Sequence, residues 1–292
     1  MSPLQRSALL TSRSRGERSE PAAATIEARR GSPGQQAQAA RTSYITIEGL
    51  SKSFGPHVVY DNFDLTLPEG KFISIFGPNG CGKSTLINLI SGLMPFDAGR
   101  VLYDGKTIRQ TRISYVFQNY REALFPWLRA IDNIRYPLRI AGLSRKQQDR
   151  KVEELLSTFE VKINLDAYPY QLSGGQQQTV SILRALITEP EVLFLDEPFS
   201  ALDYEMTLFM REQLQKIFMK TRTTMVLVSH DLEEAVQLAD KVLLLTRSPT
   251  RIAEIIDVDL PWPRDTGIVT SPRFLEFKSH CLEVFRREAA LR

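Results

Sequence analysis

The sequence predicts an α/β fold in which a parallel sheet lies between helices and carries an antiparallel β layer and a helical subdomain. Three observations lead to this prediction. Two early segments alternate apolar and polar residues with period two, which is typical of half-buried strands. Short continuous apolar runs, typical of strands buried on both faces, then alternate with segments of helical periodicity. Residues 119–172 show helical periodicity without a strand pattern.

The antiparallel layer is predicted from Tyr44–Ile47 and Phe63–Leu67, which alternate with period two on either side of the turn Gly55-Pro56. Phe72–Phe76 is a nearly continuous apolar run, and apolar residues at helical spacing follow from Leu86 onward. The sequence therefore predicts a strand, a loop and a helix in this order.

Later elements follow the same logic. Further buried strands are expected at four short apolar runs, Ile113–Phe117, Val192–Leu195, Thr224–Val228 and Val242–Leu245. Residues 248–292 are expected to form a C-terminal strand and helix tail, in which Phe274, Phe277, Cys281 and Phe285 share one helical face. We expect this face to pack on the body; a ligand or partner site is the alternative.

The first 43 residues consist mainly of Ser, Arg, Ala, Gln, Gly and Pro, and we expect residues 1–43 to be a disordered Arg/Ser-rich extension. A targeting peptide is the alternative, although three glutamates and the lack of an apolar segment argue against it. The extension holds seven arginines while the whole chain has a net charge of +3, so the remainder is close to neutral. A near-neutral body argues against a broad nucleic-acid-binding face, and we expect no nucleic acid partner.

Apolar runs and cysteines limit the cellular context. No apolar run approaches the ~20 residues that cross a bilayer, so we expect no membrane span. Cys81 and Cys281 lie far apart, and no signal-peptide pattern is present. We therefore expect no disulfide framework, and we expect the protein to be in a reducing compartment.

Residues Gly77–Ser84, GPNGCGKS, match the pattern G-x-x-x-x-G-K-[ST] between a predicted strand and a predicted helix. Glycines allow backbone N–H groups to approach phosphate oxygens, and the helix adds the positive end of its dipole. Lys83 is expected to reach the β- and γ-phosphates, and the Ser84 hydroxyl to hold Mg²⁺. A serine-capped Gly-rich turn is the alternative, which the flanking elements disfavour. The expected phosphate-binding residues are Gly77, Pro78, Asn79, Gly80, Cys81, Gly82, Lys83, Ser84 and Thr85.

The strand Val192–Leu195 ends in two carboxylates, Asp196 and Glu197. Asp196 is expected to bind Mg²⁺ directly or through water. Glu197 is expected to orient a water molecule and accept its proton for in-line attack on the γ-phosphate. Taken alone, the pair fits a solvated strand end equally well, but the phosphate-binding loop earlier in the chain favours the functional interpretation.

Two further strand ends carry polar candidates. His230 follows Thr224–Val228 and is expected to donate to the γ-phosphate. Gln118 follows Val116-Phe117, and its amide oxygen is expected to complete the Mg²⁺ shell or to position water. Either residue alone would be an ordinary capping or surface residue.

The segment Leu172–Gln176, LSGGQ, predicts a second helix N-terminus that is suited to phosphate. The chain already contains one phosphate-binding loop. Ser173, Gly174, Gly175 and Gln176 are therefore expected to bind the nucleotide of another subunit.

These motifs make the sequence closely resemble the ATP-binding subunits of ABC transporters from about Tyr44 to Arg247. The resemblance implies a P-loop NTPase core with an ABC ATP-binding domain at 44–247 and a helical insertion at about 119–172. It makes Phe54 the aromatic on which adenine stacks. It identifies the Walker A loop as Gly77–Ser84, the Q-loop glutamine as Gln118, the signature as Leu172–Gln176, Walker B as Leu193–Glu197, the D-loop as Ser200–Asp203 and the switch histidine as His230.

The same resemblance implies ATP and Mg²⁺ as cofactors and a head-to-tail homodimer, in which each ATP lies between the two subunits. Two transmembrane permease subunits, an extracytoplasmic solute-binding protein and a peripheral location at the cytoplasmic face of the inner membrane are also implied. Leu124–Leu128, Leu260–Arg264 and Ser271–Lys278 are similar to segments of nitrate, aliphatic sulfonate and taurine importers. The expected function is ATP hydrolysis that drives import of such a solute; a soluble ABC-type ATPase in DNA repair or translation is the alternative.

Thr179 departs from the family, whose members usually carry Arg three residues after the signature glutamine. The missing charge is expected to weaken contacts of the signature helix or to lower the ATPase rate. A catalytically impaired regulatory subunit is therefore a further alternative.

Overall fold

The computed structural model describes residues 43–159, 163–200 and 202–290. Apart from Ser43, the predicted disordered extension lies outside these ranges, as does Ala201 of the predicted D-loop.

The strands form two sheets. In the described ranges they are β1 (Ile45–Phe54), β2 (His57–Leu67), β3 (Phe72–Phe76), β4 (Ala98–Tyr103), β5 (Ile113–Val116), β6 (Val192–Asp196), β7 (Thr224–Val228), β8 (Lys241–Leu245) and β9 (Ile252–Asp257). A three-stranded antiparallel sheet has the order β2-β1-β4, and a six-stranded sheet has the order β5-β6-β7-β3-β8-β9. Neighbours in the larger sheet are parallel except for β8 and β9. The predicted parallel sheet with an antiparallel β layer is confirmed.

Helices surround the larger sheet. They are α1 (Lys83–Ile90), α2 (Tyr120–Ala123), α3 (Ala130–Ile140), α4 (Arg145–Leu156), α5 (Gly174–Leu186), α6 (Tyr204–Thr221), α7 (Leu232–Leu238) and α8 (Pro272–Ala290). Only helical elements occur in the described chain between β5 and β6, as the periodicity of residues 119–172 predicts. No helix in the described ranges combines the length and the apolar character needed to cross a bilayer.

Side-chain caps determine where two of these helices begin. Oδ1 of Asp203 accepts a hydrogen bond from the backbone N–H of Met206 at the start of α6, at 2.8 Å. Oδ1 of Asp231 does the same for Glu233 at the start of α7, at 2.7 Å. Each cap satisfies a backbone donor that the helix leaves free and contributes about 1 kcal/mol.

The central strand β3 is buried on both faces. Phe72 and Phe76 point into a core shared with α5 to α8, whereas Ile73 and Ile75 point into a second core formed with α1 and the antiparallel sheet. Period-two alternation places successive side chains on opposite faces, and each fully buried side chain of this size contributes about 1.5–3 kcal/mol. The continuous apolar run therefore forms a strand between two cores.

The C-terminal tail packs on the body. Phe274 and Cys281 of α8 are buried, and Phe277 and Phe285 are half-buried on the same face. The ring centroid of Phe285 lies 5.4 Å from that of Phe76 at the end of β3. The expected packing role of this face is confirmed.

Arg264 joins the tail to the end of α7. Its fully buried guanidinium donates to the carbonyl oxygens of Ala239 at 2.7 Å and Val236 at 3.2 Å, and to that of Val258 at 3.1 Å. The same group lies 4.3 Å from the ring centroid of Trp262. Burial lowers the pKa of Arg264 to about 10, which leaves the side chain charged at neutral pH.

Candidate nucleotide-binding site

The glycine-rich loop connects β3 to α1 at the centre of the larger sheet. Gly80 and Gly82 have φ values of +76° and +96°, which side chains other than glycine rarely adopt. A Cβ on Gly82 would lie 2.6 Å from Cγ1 of Val59, and the Tyr60 hydroxyl donates to the Gly82 carbonyl at 2.9 Å. The loop therefore depends on glycine at position 82 both for its conformation and for its close contact with β2.

Lys83 lies at the first position of α1, and its side chain is buried. Its ammonium donates to the carbonyl oxygens of Gly77 and Pro78 at 2.9 and 3.0 Å. Both acceptors are uncharged, and no carboxylate among the described residues forms an ion pair with this lysine. A buried cation with neutral partners at a helix N-terminus is suited to an anionic ligand.

Asp196 and Ser84 meet at the carboxyl end of β6. The Ser84 hydroxyl donates to Oδ1 of Asp196 at 3.0 Å, and the Tyr115 hydroxyl lies 3.1 Å from Oδ2. Burial raises the pKa of Asp196, an effect that the two hydrogen bonds and Lys83 partly offset. Oxygen donors of this kind suit Mg²⁺, so two of the three predicted ligands fit the ion.

The three predicted catalytic side chains are in contact, because Gln118 and His230 both approach the carboxylate of Glu197. The Gln118 amide Nε2 donates to Oε2 of Glu197 at 2.9 Å, and Nδ1 of His230 lies 3.2 Å from the same oxygen. A carboxylate only accepts, so this contact requires the proton of His230 on Nδ1. Gln118, the third predicted Mg²⁺ ligand, thus has its amide at Glu197.

The backbone of Glu197 fixes this carboxylate. Its φ is +43°, in the left-handed region that a residue with a side chain rarely occupies. The backbone N–H of Glu197 donates to the carbonyl of Val228 on the neighbouring strand at 2.9 Å. Because β5, β6 and β7 are adjacent and parallel, the residues that follow them lie at the same edge of the sheet.

The second predicted phosphate-binding segment, Ser173–Gln176, forms the N-terminus of α5. Ser173 Oγ accepts from the Gln176 backbone N–H at 3.3 Å, and Gln176 Oε1 accepts from the Ser173 N–H at 3.0 Å. A Cβ on Gly174 would lie 2.5 Å from the Tyr120 hydroxyl. No hydrogen bond in the described part of the chain joins these residues to the loop 77–84.

Phe54, the predicted adenine contact, lies at the end of β1 with 47% of its surface exposed. The ammonium of Lys52 lies 5.4 Å from the centroid of its ring. The ring is thus available for stacking.

Comparisons with known proteins show to which family the chain is similar. A family model described as ABC transporter matches residues 60–200. The aliphatic sulfonates import ATP-binding protein SsuB of Bacillus licheniformis is 40% identical over 249 residues, which are 82% of this chain and 94% of that protein. The bicarbonate transport ATP-binding protein CmpD of Synechocystis sp. is 37% identical over 252 residues, which are 83% and 89% of the two chains.

The chain belongs to the ABC transporter ATP-binding protein family.

A solved structure of the same family supports the fold. The ATP-binding cassette MJ0796, in a dimeric post-hydrolysis state bound to ADP and Pi, matches with a TM-score of 0.65 at 29% identity. The match covers 74% of this chain and 100% of that one. The ABC ATPase core with its helical subdomain is thus confirmed.

The departure from the ABC family at Thr179 has a local structural account. Thr179 is buried on α5, and its hydroxyl donates to the carbonyl of Gly175 at 2.9 Å. The hydroxyl also lies 3.4 Å from Sδ of Met210 on α6. Contact between the signature helix and α6 is therefore present without a charge; the expected effect on the ATPase rate stays a prediction.

Sequence motifs alone miss several residues of this ABC site. Tyr115 lies beside both Asp196 and Asn88, with its hydroxyl 2.8 Å from Asn88 Oδ1. Burial is the first cause that raises its pKa. The only sequence signal is its position on the strand that ends at the Q-loop, two residues before Phe117. The buried pair Arg211 and Glu234, which joins α6 to α7, is also missed.

Proposed function

We propose that this protein is the ATP-hydrolysing subunit of an ABC importer for nitrate, a sulfonate, taurine or a similar solute. The observation that supports hydrolysis is the convergence of Gln118 and His230 on the carboxylate of Glu197. Membership of the ABC family supplies the nucleotide, ATP, and the importer role is supported by relatives named for sulfonate and bicarbonate transport.

ATP binding begins at the loop 77–84. The N–H groups at the start of α1 and the Lys83 ammonium are suited to the β- and γ-phosphates, once this ammonium exchanges the carbonyls of Gly77 and Pro78 for phosphate oxygens. Phe54 offers an exposed ring face for the adenine. Residues 77–85 and Phe54 together form one half of the nucleotide site.

Magnesium would be held by the Ser84 hydroxyl and the Asp196 carboxylate, which already lie within hydrogen-bond distance of each other. When bound, the ion neutralises charge on the phosphates and favours attack at phosphorus. Gln118, at the same edge of the sheet, can offer its amide oxygen when its nitrogen releases Glu197.

Glu197 is proposed to be the base. Gln118 and His230 both contact Oε2, and no described side chain donates to Oε1. This second oxygen is free to accept a hydrogen bond from water. As the water oxygen attacks the γ-phosphorus, its proton passes to the carboxylate, and the bond from phosphorus to the ADP oxygen breaks. Lys83 stabilises the charge that develops on the phosphate oxygens.

A second copy of the chain is proposed to complete each site. Ser173, Gly174, Gly175 and Gln176 lie at a helix N-terminus that makes no hydrogen bond to the loop 77–84 of the same described chain. In a head-to-tail dimer each signature would meet the partner's nucleotide. The MJ0796 cassette, whose solved structure is dimeric and bound to ADP and Pi, supports the formation of a dimer. ATP then favours the closed dimer because it contacts both halves only in that state.

The permease contact is proposed at a cavity of about 500 Å³ beside the Q-loop. Its lining includes Gln118 together with the exposed apolar side chains Leu93 and Phe117. Trp127, 70% exposed, extends the apolar surface of the helical subdomain, whereas the ring of Phe125 packs on Tyr136 with centroids 4.5 Å apart. A permease helix that packs an apolar face on Leu93 and Phe117 would sense the position of Gln118, which lines the same cavity as the proposed Mg²⁺ ligand Asp196.

The remaining partners follow from the importer role. Two permease subunits would cross the membrane, and an extracytoplasmic binding protein would select the solute. This subunit would then lie peripherally at the cytoplasmic face of the inner membrane.

Affinity capture of the full-length tagged chain from detergent-solubilised membranes of its own cells tests the proposal. We expect a multi-span permease to co-purify, and Leu93→Ser to reduce its recovery. Leu275→Ser is the matched control, because Leu275 is a similarly exposed leucine on α8. Recovery with ribosomes or DNA-repair proteins and without a permease would contradict an importer role.

A further inference from the structure

Arg211 is a buried arginine in the middle of α6 whose guanidinium faces the segment after β7. The side chain is 7% exposed, and Nη2 donates to Oε1 of Glu234 at 2.9 Å. Nη1 donates to Oε1 of Gln237 at 3.1 Å, and Nη2 lies 3.6 Å from Oδ2 of Asp231. One guanidinium therefore contacts three side chains that follow His230 within seven residues.

Glu234 extends this contact to the other side of His230. Its second carboxylate oxygen accepts a hydrogen bond from the Ser229 hydroxyl at 2.6 Å. The Ser229 oxygen in turn accepts from the backbone N–H of Asp231 at 2.9 Å. Both chain neighbours of His230 are thereby held to the carboxylate that Arg211 binds.

Arg211 also lies near the segment that carries Glu197. The guanidinium lies 6.0 Å from the ring centroid of Phe199, which is buried two residues after Glu197. Arg211 also belongs to the helix that Asp203 caps, directly after the D-loop. A single side chain thus contacts residues that follow β7 and lies near Phe199, which follows β6.

Stability alone does not account for this pair. A buried ion pair usually contributes little net stability, because the desolvation of both charges offsets their attraction. Within the described chain, Nε of Arg211 is buried without a hydrogen-bond partner. The geometry is therefore better explained by orientation of neighbouring groups than by optimised packing.

We propose that Arg211 is a positioning residue for ATP hydrolysis: through Glu234, Ser229 and Asp231 it fixes the imidazole of His230 against the carboxylate of Glu197. The inference rests on the proposed function, in which His230 and Glu197 act at the nucleotide. It adds a residue on α6 that is not among the residues proposed to bind ATP.

A double-mutant cycle on the purified full-length chain tests this role. In Arg211→Lys, an ammonium replaces the planar fork that binds Glu234 and Gln237 together. We expect kcat to fall about tenfold, with the KM for ATP changed by less than about twofold. In the His230→Ala background, Arg211→Lys should lower kcat by less than about twofold, because the group that it positions is absent.

Two further variants keep the test decisive. Ser229→Ala removes the hydrogen bonds of the Ser229 hydroxyl to Glu234 and to the Asp231 N–H but no charge, so it serves where Arg211→Lys does not fold. Its effect should also disappear in the His230→Ala background. Arg222→Lys, which alters an arginine over the ring of Phe218 at the end of α6, should leave kcat unchanged.

The outcomes separate the two proposals. If the fold-losses in kcat of Arg211→Lys and His230→Ala multiply in the variant that carries both changes, the positioning role is overturned. The proposed function stays intact in that case. An unchanged kcat in Arg211→Lys and Ser229→Ala would likewise overturn only the positioning role. A His230→Ala enzyme with the parental kcat would overturn the role of His230 and with it this inference.

Discussion

The amide nitrogen of Gln118 lies 2.9 Å from Oε2 of Glu197, although the two residues are 79 positions apart in the sequence. The contact joins the first residues of the helical insertion to the end of β6. A change at the Glu197 carboxylate would therefore act directly on Gln118, which lines the proposed permease cavity.

Glu197→Gln should bind ATP and lose turnover. Glutamine keeps the shape of the side chain but cannot accept the proton of water, so the rate should fall by about 10²–10⁴-fold. Phosphate release and size-exclusion chromatography with Mg-ATP measure turnover and the accumulated dimer. Glu191→Gln, just before the start of β6, is the control. Hydrolysis at the parental rate would show that Glu197 is not the base.

Lys83→Ala should weaken nucleotide binding. Loss of a charged donor to phosphate costs about 1.5–3 kcal/mol, which corresponds to about a 10- to 150-fold lower affinity. Titration with a fluorescent ATP analogue measures this change. Lys146→Ala, at an exposed position on α4, should retain the parental affinity. Equal affinities for the two variants would rule out the phosphate contact.

Gly175→Ala should impair the signature half-site and spare the loop 77–84. A Cβ at this position would lie 2.5 Å from Cγ of Met206, and such overpacking costs about 1–3 kcal/mol. In the Glu197→Gln background we expect less ATP-dependent dimer at unchanged ATP affinity of the monomer. A second change, Met206→Ala, should restore the dimer because it makes room for the methyl group. Normal dimer formation by the single variant would contradict the role of this glycine.

Asp196→Asn should change how stability depends on pH. Burial raises the pKa of Asp196, so between the ordinary aspartate pKa and the raised value the folded protein keeps a proton that the unfolded chain has lost. In this window the stability of the nucleotide-free protein falls as pH rises. Asparagine keeps the acceptor for Ser84 and removes this dependence. Thermal unfolding between about pH 4 and about pH 7 should show that the Tm of the variant increases relative to the Tm of the parent as pH rises. A constant difference in Tm would contradict the raised pKa.

Arg264→Met should destabilise the fold. The guanidinium satisfies several buried carbonyl oxygens at the end of α7 and in the tail, and their loss as partners should cost about 3–5 kcal/mol. Urea unfolding measures the free energy. Arg273→Met is the control, because its ion pair with Asp259 is exposed and should contribute less than about 1 kcal/mol. Similar losses for both variants would indicate that burial of Arg264 is not what matters.

Local sequence patterns predict the parts of the site that are contiguous in the chain. The loop before Lys83 follows from glycine spacing between a strand and a helix, and both elements are present. The contacts of Gln118 and His230 with Glu197 are harder to predict from the sequence, because they depend on β5, β6 and β7 being neighbours. Apolar runs reveal that these strands exist and do not reveal their order.

Tertiary packing accounts for what sequence analysis misses. Arg211 and Glu234 look like ordinary charged helix residues until α6 packs against α7 and buries both. The surroundings of Thr179 are another example, because a sequence gives no indication that Met210 lies beside its hydroxyl. Side chains from distant helices decide such cases, and periodicity within one helix does not report them.

The double-sided burial of β3 has a mechanical consequence. A strand held between two cores cannot shift without disturbing both, so the loop that follows Phe76 starts from a fixed support. Movement during a cycle of binding and release is then expected in the helices between Gln118 and Ser173, of which α2 and α3 pack mainly on α5 and not on β3. The central strand would act as the stationary frame against which that lobe swings.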